Sequence, residues 1–125
     1  MANIDQKQPQ WLADVEENNY PAAESYLSLI YTRERVEQLL VELRSATLSQ
    51  FMAKDMFRAS GLPLLGISNF QIEKNLTKIQ TGTGLSPLLL VRDRKNGKVV
   101  IADGYHRLCA VYRHNQDALI PCKIF

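Results

Sequence analysis

Val99-Val100-Ile101-Ala102-Asp103-Gly104-Tyr105-His106-Arg107-Leu108-Cys109-Ala110 is the stretch on which the reading of the chain turns. Its first four residues are apolar and mostly β-branched, the pattern of a buried strand. Asp103-Gly104 then breaks the run. Beyond the break Leu108, Val111 and Tyr112 recur at helical spacing. The spacing predicts a strand that turns sharply at Asp103-Gly104 and becomes a helix, with Tyr105, His106 and Arg107 in its first turn.

That arrangement has chemical consequences. Backbone N–H groups in the first turn of a helix have no internal partner, and the helix dipole is positive there. Such a terminus binds anions, phosphate above all. Gly104 allows a ligand close to the backbone and permits a positive φ. Arg107 presents a planar fork of donors suited to phosphate oxygens. His106 can donate to the same group or move a proton. Asp103 would repel a bare phosphate, so it is expected as an N-cap, as a base, or as the ligand of a Mg²⁺ lying between the two. The plain alternative is an ordinary strand-to-helix junction with solvated His and Arg side chains.

The run Ile101–Ala110, followed by Ile120-Pro121-Cys122-Lys123-Ile124, resembles the signature of the ParB/sulfiredoxin superfamily. Members carry a strand, then (Asp/Gly)-Gly-x-(His/Arg)-Arg, a helix and a short closing strand. Leu85-Ser86-Pro87-Leu88-Leu89-Leu90-Val91 is similar to the strand that precedes the turn there. The resemblance implies an α+β fold with a small mixed sheet. It also implies nucleotide phosphates on the turn: CTP in ParB, ATP in sulfiredoxin and in the related free-serine kinases. By the resemblance, Gly104, Tyr105, His106 and Arg107 bind phosphate, and the cofactor is ATP or CTP with Mg²⁺. Asp103 and His106 are then the catalytic candidates, with Asp103 also the metal ligand. Superfamily members use basic residues from an earlier segment against the nucleotide, which points to Lys54; Asp55 is the second candidate base. In sulfiredoxin the helix before the turn opens with a nucleotide-contacting Lys. Here Gln71 stands in that place, with Lys74 and Lys78 nearby on faces that the spacing leaves open.

The departures are informative. Tyr105 stands where sulfiredoxin has its catalytic Cys, which argues against sulfinic-acid reduction. ParB has a second Arg in the turn and a helix-turn-helix domain further on, so centromere binding is not expected here.

The totals fit one folded domain. The 125 residues are 46% hydrophobic and 22% charged, with a net charge of +2. That charge is too small to signal nucleic-acid binding. No apolar run approaches the roughly 20 residues of a membrane span. The first ten residues lack the apolar core of a signal peptide, so a cytoplasmic location is expected. Cys109 and Cys122 fall at apolar positions and are expected to pack as small hydrophobes. Two Cys and two His give no spacing for zinc.

Taken in order, residues 1–20 are expected to be a partly disordered tail, with Trp11, Leu12 and Val15 forming either a short docked helix or an anchor. Residues 21–45 form a helical extension. Pro21 opens a helix over 22–31, and Thr32 caps a second one whose Val36, Leu39, Leu40 and Leu43 share a face. These helices are either an ordinary packing layer or a homodimer surface using Tyr26 and Tyr31. Residues 51–125 form the core. Asp55 caps a short helix that Gly61 stops. Ser68 and Gln71 have capping-box spacing ahead of Ile72, Leu76 and Ile79, in a helix ending near Thr81-Gly82. Strands are expected over 88–92, 99–102 and 119–124, the first two joined by a type I′ turn at Asn96-Gly97. The functional expectation is a protein that binds a nucleotide or another phosphate-bearing small molecule, with phosphoryl transfer or hydrolysis. The alternative is a regulatory module with the same fold and no reaction.

Overall fold

A computed structural model describes residues 8–66 and 68–125 of the chain. Helix α1 spans Asn19–Leu27 and α2 spans Arg33–Ser45. The first starts three residues earlier than expected and places Pro21 inside its first turn, where a missing N–H costs nothing. It also ends earlier, because Ile30 and Tyr31 both fold their N–H groups back onto the Leu27 carbonyl at 2.9 Å. Thr32 caps α2 as expected, its Oγ1 accepting from the Arg35 N–H at 3.3 Å.

Strand β1, Ser49–Met52, runs directly into α3, Ala53–Ser60. This helix begins two residues before Asp55, so Asp55 is a first-turn residue and not the cap. Its charge there complements the helix dipole. Gly61 stops α3 at φ 66. Helix α4, Phe70–Thr81, is capped by Asn69 in place of Ser68. The Asn69 Oδ1 accepts from the N–H groups of Gln71 and Ile72 at 2.9 and 3.3 Å, the geometry of the cap position itself.

Strand β2, Leu88–Asp93, and strand β3, Lys98–Asp103, form an antiparallel hairpin. Asp93 pairs with Lys98, so the loop has four residues. A type I′ turn needs φ > 0 at both central residues, and here only Gly97 has it, at φ 66. The Asp93 carboxylate decides the matter. It accepts from the Asn96 N–H at 3.3 Å and from Asn96 Nδ2 at 2.8 Å, closing the longer loop.

Helix α5, Tyr105–His114, and strand β4, Leu119–Ile124, complete the fold. The sheet order is β1-β4-β2-β3, with β2 and β4 parallel and the other two pairs antiparallel. The protein is therefore α+β, with five helices and a four-stranded mixed sheet among the described residues. The chain places β2 inside the sheet and buries it on both faces. Leu88 and Leu90 join a core with Met56, Ile72, Ile79, Leu108 and Val111 from α3, α4 and α5. Leu89 and Val91 join a second core with Ala23, Leu27, Val36, Leu39 and Leu43 from α1 and α2. Residues 21–45 are thus the second cover of one sheet, the packing-layer alternative of the two.

Of the alternatives for Trp11–Val15, the structure shows the anchor. Trp11 bridges to Leu85 in parallel, with Leu12 N–H to the Leu85 carbonyl at 2.9 Å and Leu85 N–H to the Gln10 carbonyl at 2.8 Å. The expected tail therefore narrows: residues 10–20 are fastened to the body, and 1–7 lie outside the described residues. Buried Lys123 adds a further tie, donating to the Arg44 carbonyl at 2.9 Å and pairing with Asp14 at 3.5 Å. No helix among the described residues is long and apolar enough to cross a membrane.

Candidate functional site

The turn between β3 and α5 is built around Gly104. Its φ is +112, a region closed to most side chains. A Cβ there would also lie 2.5 Å from Leu88 Cγ and 2.9 Å from Arg107 Nη2. Two independent constraints, torsion and crowding, therefore select glycine. Gly104 is itself the N-cap and has no side chain to offer, so the first-turn N–H groups of Tyr105, His106 and Arg107 are left to solvent or a ligand.

Arg107 reaches back one helical turn to Asp103, Nη2 to Oδ2, at 2.7 Å. The two side chains are 16% and 18% exposed, which makes this, among the described residues, the most buried ion pair but for the lysine end of Lys123–Asp14. The Arg107 Nε is buried and without a partner. Asp103 is thus neither the N-cap nor a free base. It holds the Arg107 guanidinium in place.

Helix α4 closes the site from the other side. Gln71, Lys74, Asn75 and Lys78 line a cavity of about 180 Å³ together with Asp103, Gly104, His106 and Arg107. The four α4 positions follow i, i+3, i+4, i+7, so they share one face. Asn75 is buried and donates to the Gln71 carbonyl at 2.9 Å, which fixes the floor of that face. Three cationic side chains, Lys74, Lys78 and Arg107, line the cavity with one carboxylate, and that carboxylate is already paired with Arg107.

The structure thus brings together Asp103, Gly104, His106 and Arg107 of the expected site. It separates the others. The Tyr105 hydroxyl donates to the Pro63 carbonyl, and burial pushes its phenol pKa up. Tyr105 offers the site its backbone N–H and no side-chain donor. Lys54 pairs with Asp117 at 2.7 Å, and that hydrogen bond holds its ammonium above the usual range. Asp117 follows the C-terminal end of α5, roughly 15 Å along a ten-residue helix from the turn. Asp55 faces Arg58 at 3.7 Å and lines a different hollow. Neither Lys54 nor Asp55 belongs to the turn.

The metal expectation rests on Asp103 alone. Asp103 is the single carboxylate on the cavity, and one of its oxygens is taken by Arg107. No group of three or more His, Cys, Asp and Glu that could hold a metal occurs among the described residues. One partly engaged carboxylate does not make a Mg²⁺ site by itself; Mg²⁺ usually takes one or two carboxylates together with substrate phosphates and water. Asn75 and the orientation of Lys74 and Lys78 were missed from the sequence. Their signal was present: a polar i, i+3, i+4, i+7 stripe running beside the apolar stripe of Ile72, Leu76 and Ile79.

No protein-family model matches the chain, and no curated protein or solved structure does either. What this site can do is read from its own geometry.

Proposed function

We propose that the protein binds a phosphate-bearing small molecule, a nucleotide such as ATP or CTP, with the phosphates between the α5 N-terminus and the polar face of α4. One observation carries the reading. An uncapped helix N-terminus, Arg107, Lys74 and Lys78 share one cavity whose only carboxylate is engaged by Arg107. Every free charge there is positive, and the helix dipole adds to it. His106 supplies a further donor. The resemblance of Asp103-Gly104-Tyr105-His106-Arg107 to the ParB/sulfiredoxin turn supports the same reading. About 180 Å³ is the space of roughly six water molecules, enough for a phosphate tail, with the rest of the ligand outside.

The arrangement favours binding over turnover. Phosphoryl transfer or hydrolysis would draw on His106 and Asp103, and Asp103 is committed to Arg107. The regulatory module is therefore the form of the proposal that the geometry supports. A homodimer through the N-terminal helices would use Tyr26, Leu29 and Ile30, which are exposed; Tyr31 is half-buried against the second core.

The test is an amide-resolved NMR titration with ATP, CTP and pyrophosphate. The proposal expects shifts at Gly104, Tyr105, His106 and Arg107 and at Lys74 and Lys78. Substituting Lys74 and Lys78 together with Gln should weaken binding at least about tenfold, since hydrogen bonds to charged groups contribute about 1.5–3 kcal/mol each. Shifts confined to other surfaces, or an unchanged affinity in the double variant, would contradict it.

A further inference from the structure

We propose a second binding site, for a free α-amino acid with a large apolar side chain, in the hollow between α3 and the sheet. The hollow measures about 220 Å³. An apolar cavity of about 150 Å³ already holds a benzene ring, so there is room for a leucine- or phenylalanine-sized side chain. Met56, Leu90, Val99 and Ile124 give it an apolar lining. Val99 lies four residues before Asp103 on β3, so the site stands apart from the phosphate turn.

Two opposite charges stand in this one hollow, Asp55 from α3 and Arg92 from β2. Among the described residues no ion pair joins them, and Arg92 is in none. Their neighbours keep the poles distinct. Arg92 also borders an adjoining hollow with Arg35, Arg94 and Lys95 against the single acidic side chain of Asp93, so its end is positive. Asp55 pairs with Arg58, 3.7 Å away on a side chain 88% exposed, and adjacent Lys54, which also feels the Asp55 charge, hydrogen-bonds to Asp117. A zwitterion matches this pattern. Its carboxylate meets the Arg92 fork, its ammonium meets Asp55, and its side chain lies on Met56, Leu90 and Val99. A residue inside a peptide has neither charge, so the site selects the free amino acid. Apolar pockets with a few convergent polar groups are the usual form of small-molecule sites.

The experiment titrates the full chain with L-leucine and L-phenylalanine, and with N-acetyl-phenylalanine and phenylalaninamide, following backbone amides by NMR. Saturable shifts at Met56, Ala59, Leu90 and Val99 are expected. Each blocked ligand should bind at least about tenfold more weakly, because each lacks one charge-assisted contact. Arg92→Gln and Asp55→Asn should each lose a similar factor, while Lys54→Gln should change nothing. No shift at these amides up to the solubility limit, or blocked ligands binding as well as the free amino acids, overturns the proposal. The blocked ligands test it on the unaltered protein, whatever the variants do to folding.

Discussion

Asp103 sits where an anion site would least want a carboxylate, yet it is what makes Arg107 a usable donor. A free arginine side chain carries about 2 kcal/mol of rotamer entropy that a ligand would have to freeze. The 2.7 Å contact to Asp103 freezes it in advance. That Gly104, His106 and Arg107 share one strand-to-helix turn was legible in the sequence, because an apolar run, a glycine break and helical spacing beyond it place them there. The role of Asp103 was not, because cap, base and metal ligand all suit an Asp before Gly and only the side-chain direction separates them. Gly104 gives the sharpest prediction at this scale. Gly104→Ala combines φ +112 with a 2.5 Å approach to Leu88 Cγ, and should cost about 1–3 kcal/mol. Urea denaturation reads it directly; a midpoint equal to the unaltered protein's would show that the backbone there relaxes freely.

At the scale of elements, α4 is half of the site, and its cap sets its start. Asn69→Ala should destabilise the protein by about 1 kcal/mol, whereas Ser68→Ala should be near neutral, since Asn69 alone accepts the Gln71 and Ile72 N–H groups. Thermal melts of the two variants compare them; the reverse order would move the cap to Ser68. Two adjacent capping residues cannot be ranked from spacing, which explains the one-residue error. The hairpin error has a similar origin. Asn96-Gly97 favours a two-residue turn, but Asp93 offers Asn96 two acceptors and wins. Helix ends with a glycine stop, at Gly61 and Gly82, were legible because φ > 0 has few other solutions.

At the scale of the whole molecule, β2 is the member that both covers grip. Leu88 to Val91 is one uninterrupted apolar run, the mark of a strand buried on both faces. Read that way, it already requires a second helical layer, and α1 with α2 is that layer. Leu89→Ala, on the α1–α2 side, should cost about 2–5 kcal/mol, and a loss under about 1 kcal/mol in chemical denaturation would mean that this cover is not part of the cooperative fold. Burial also pushes the Cys122 thiol up to about 12 from an ordinary value of 9.0. The folded chain keeps this proton at a pH where the unfolded chain has lost it. Stability should therefore fall as pH rises from about 9 towards 12, with no contribution below about 8. Melts of Cys122→Ala over that range should show a shallower decline; an identical slope would remove Cys122 as its source. The cavity at the turn lies between α4 and the start of α5, and that it takes phosphate is the central proposal. Calorimetric titration of the protein with ATP and with CTP, beside Arg107→Ala and Lys78→Gln, tests it most directly. Micromolar binding that Arg107→Ala abolishes and Lys78→Gln weakens is the predicted result. No heat from either nucleotide up to millimolar concentration, or equal affinity in both variants, would contradict it.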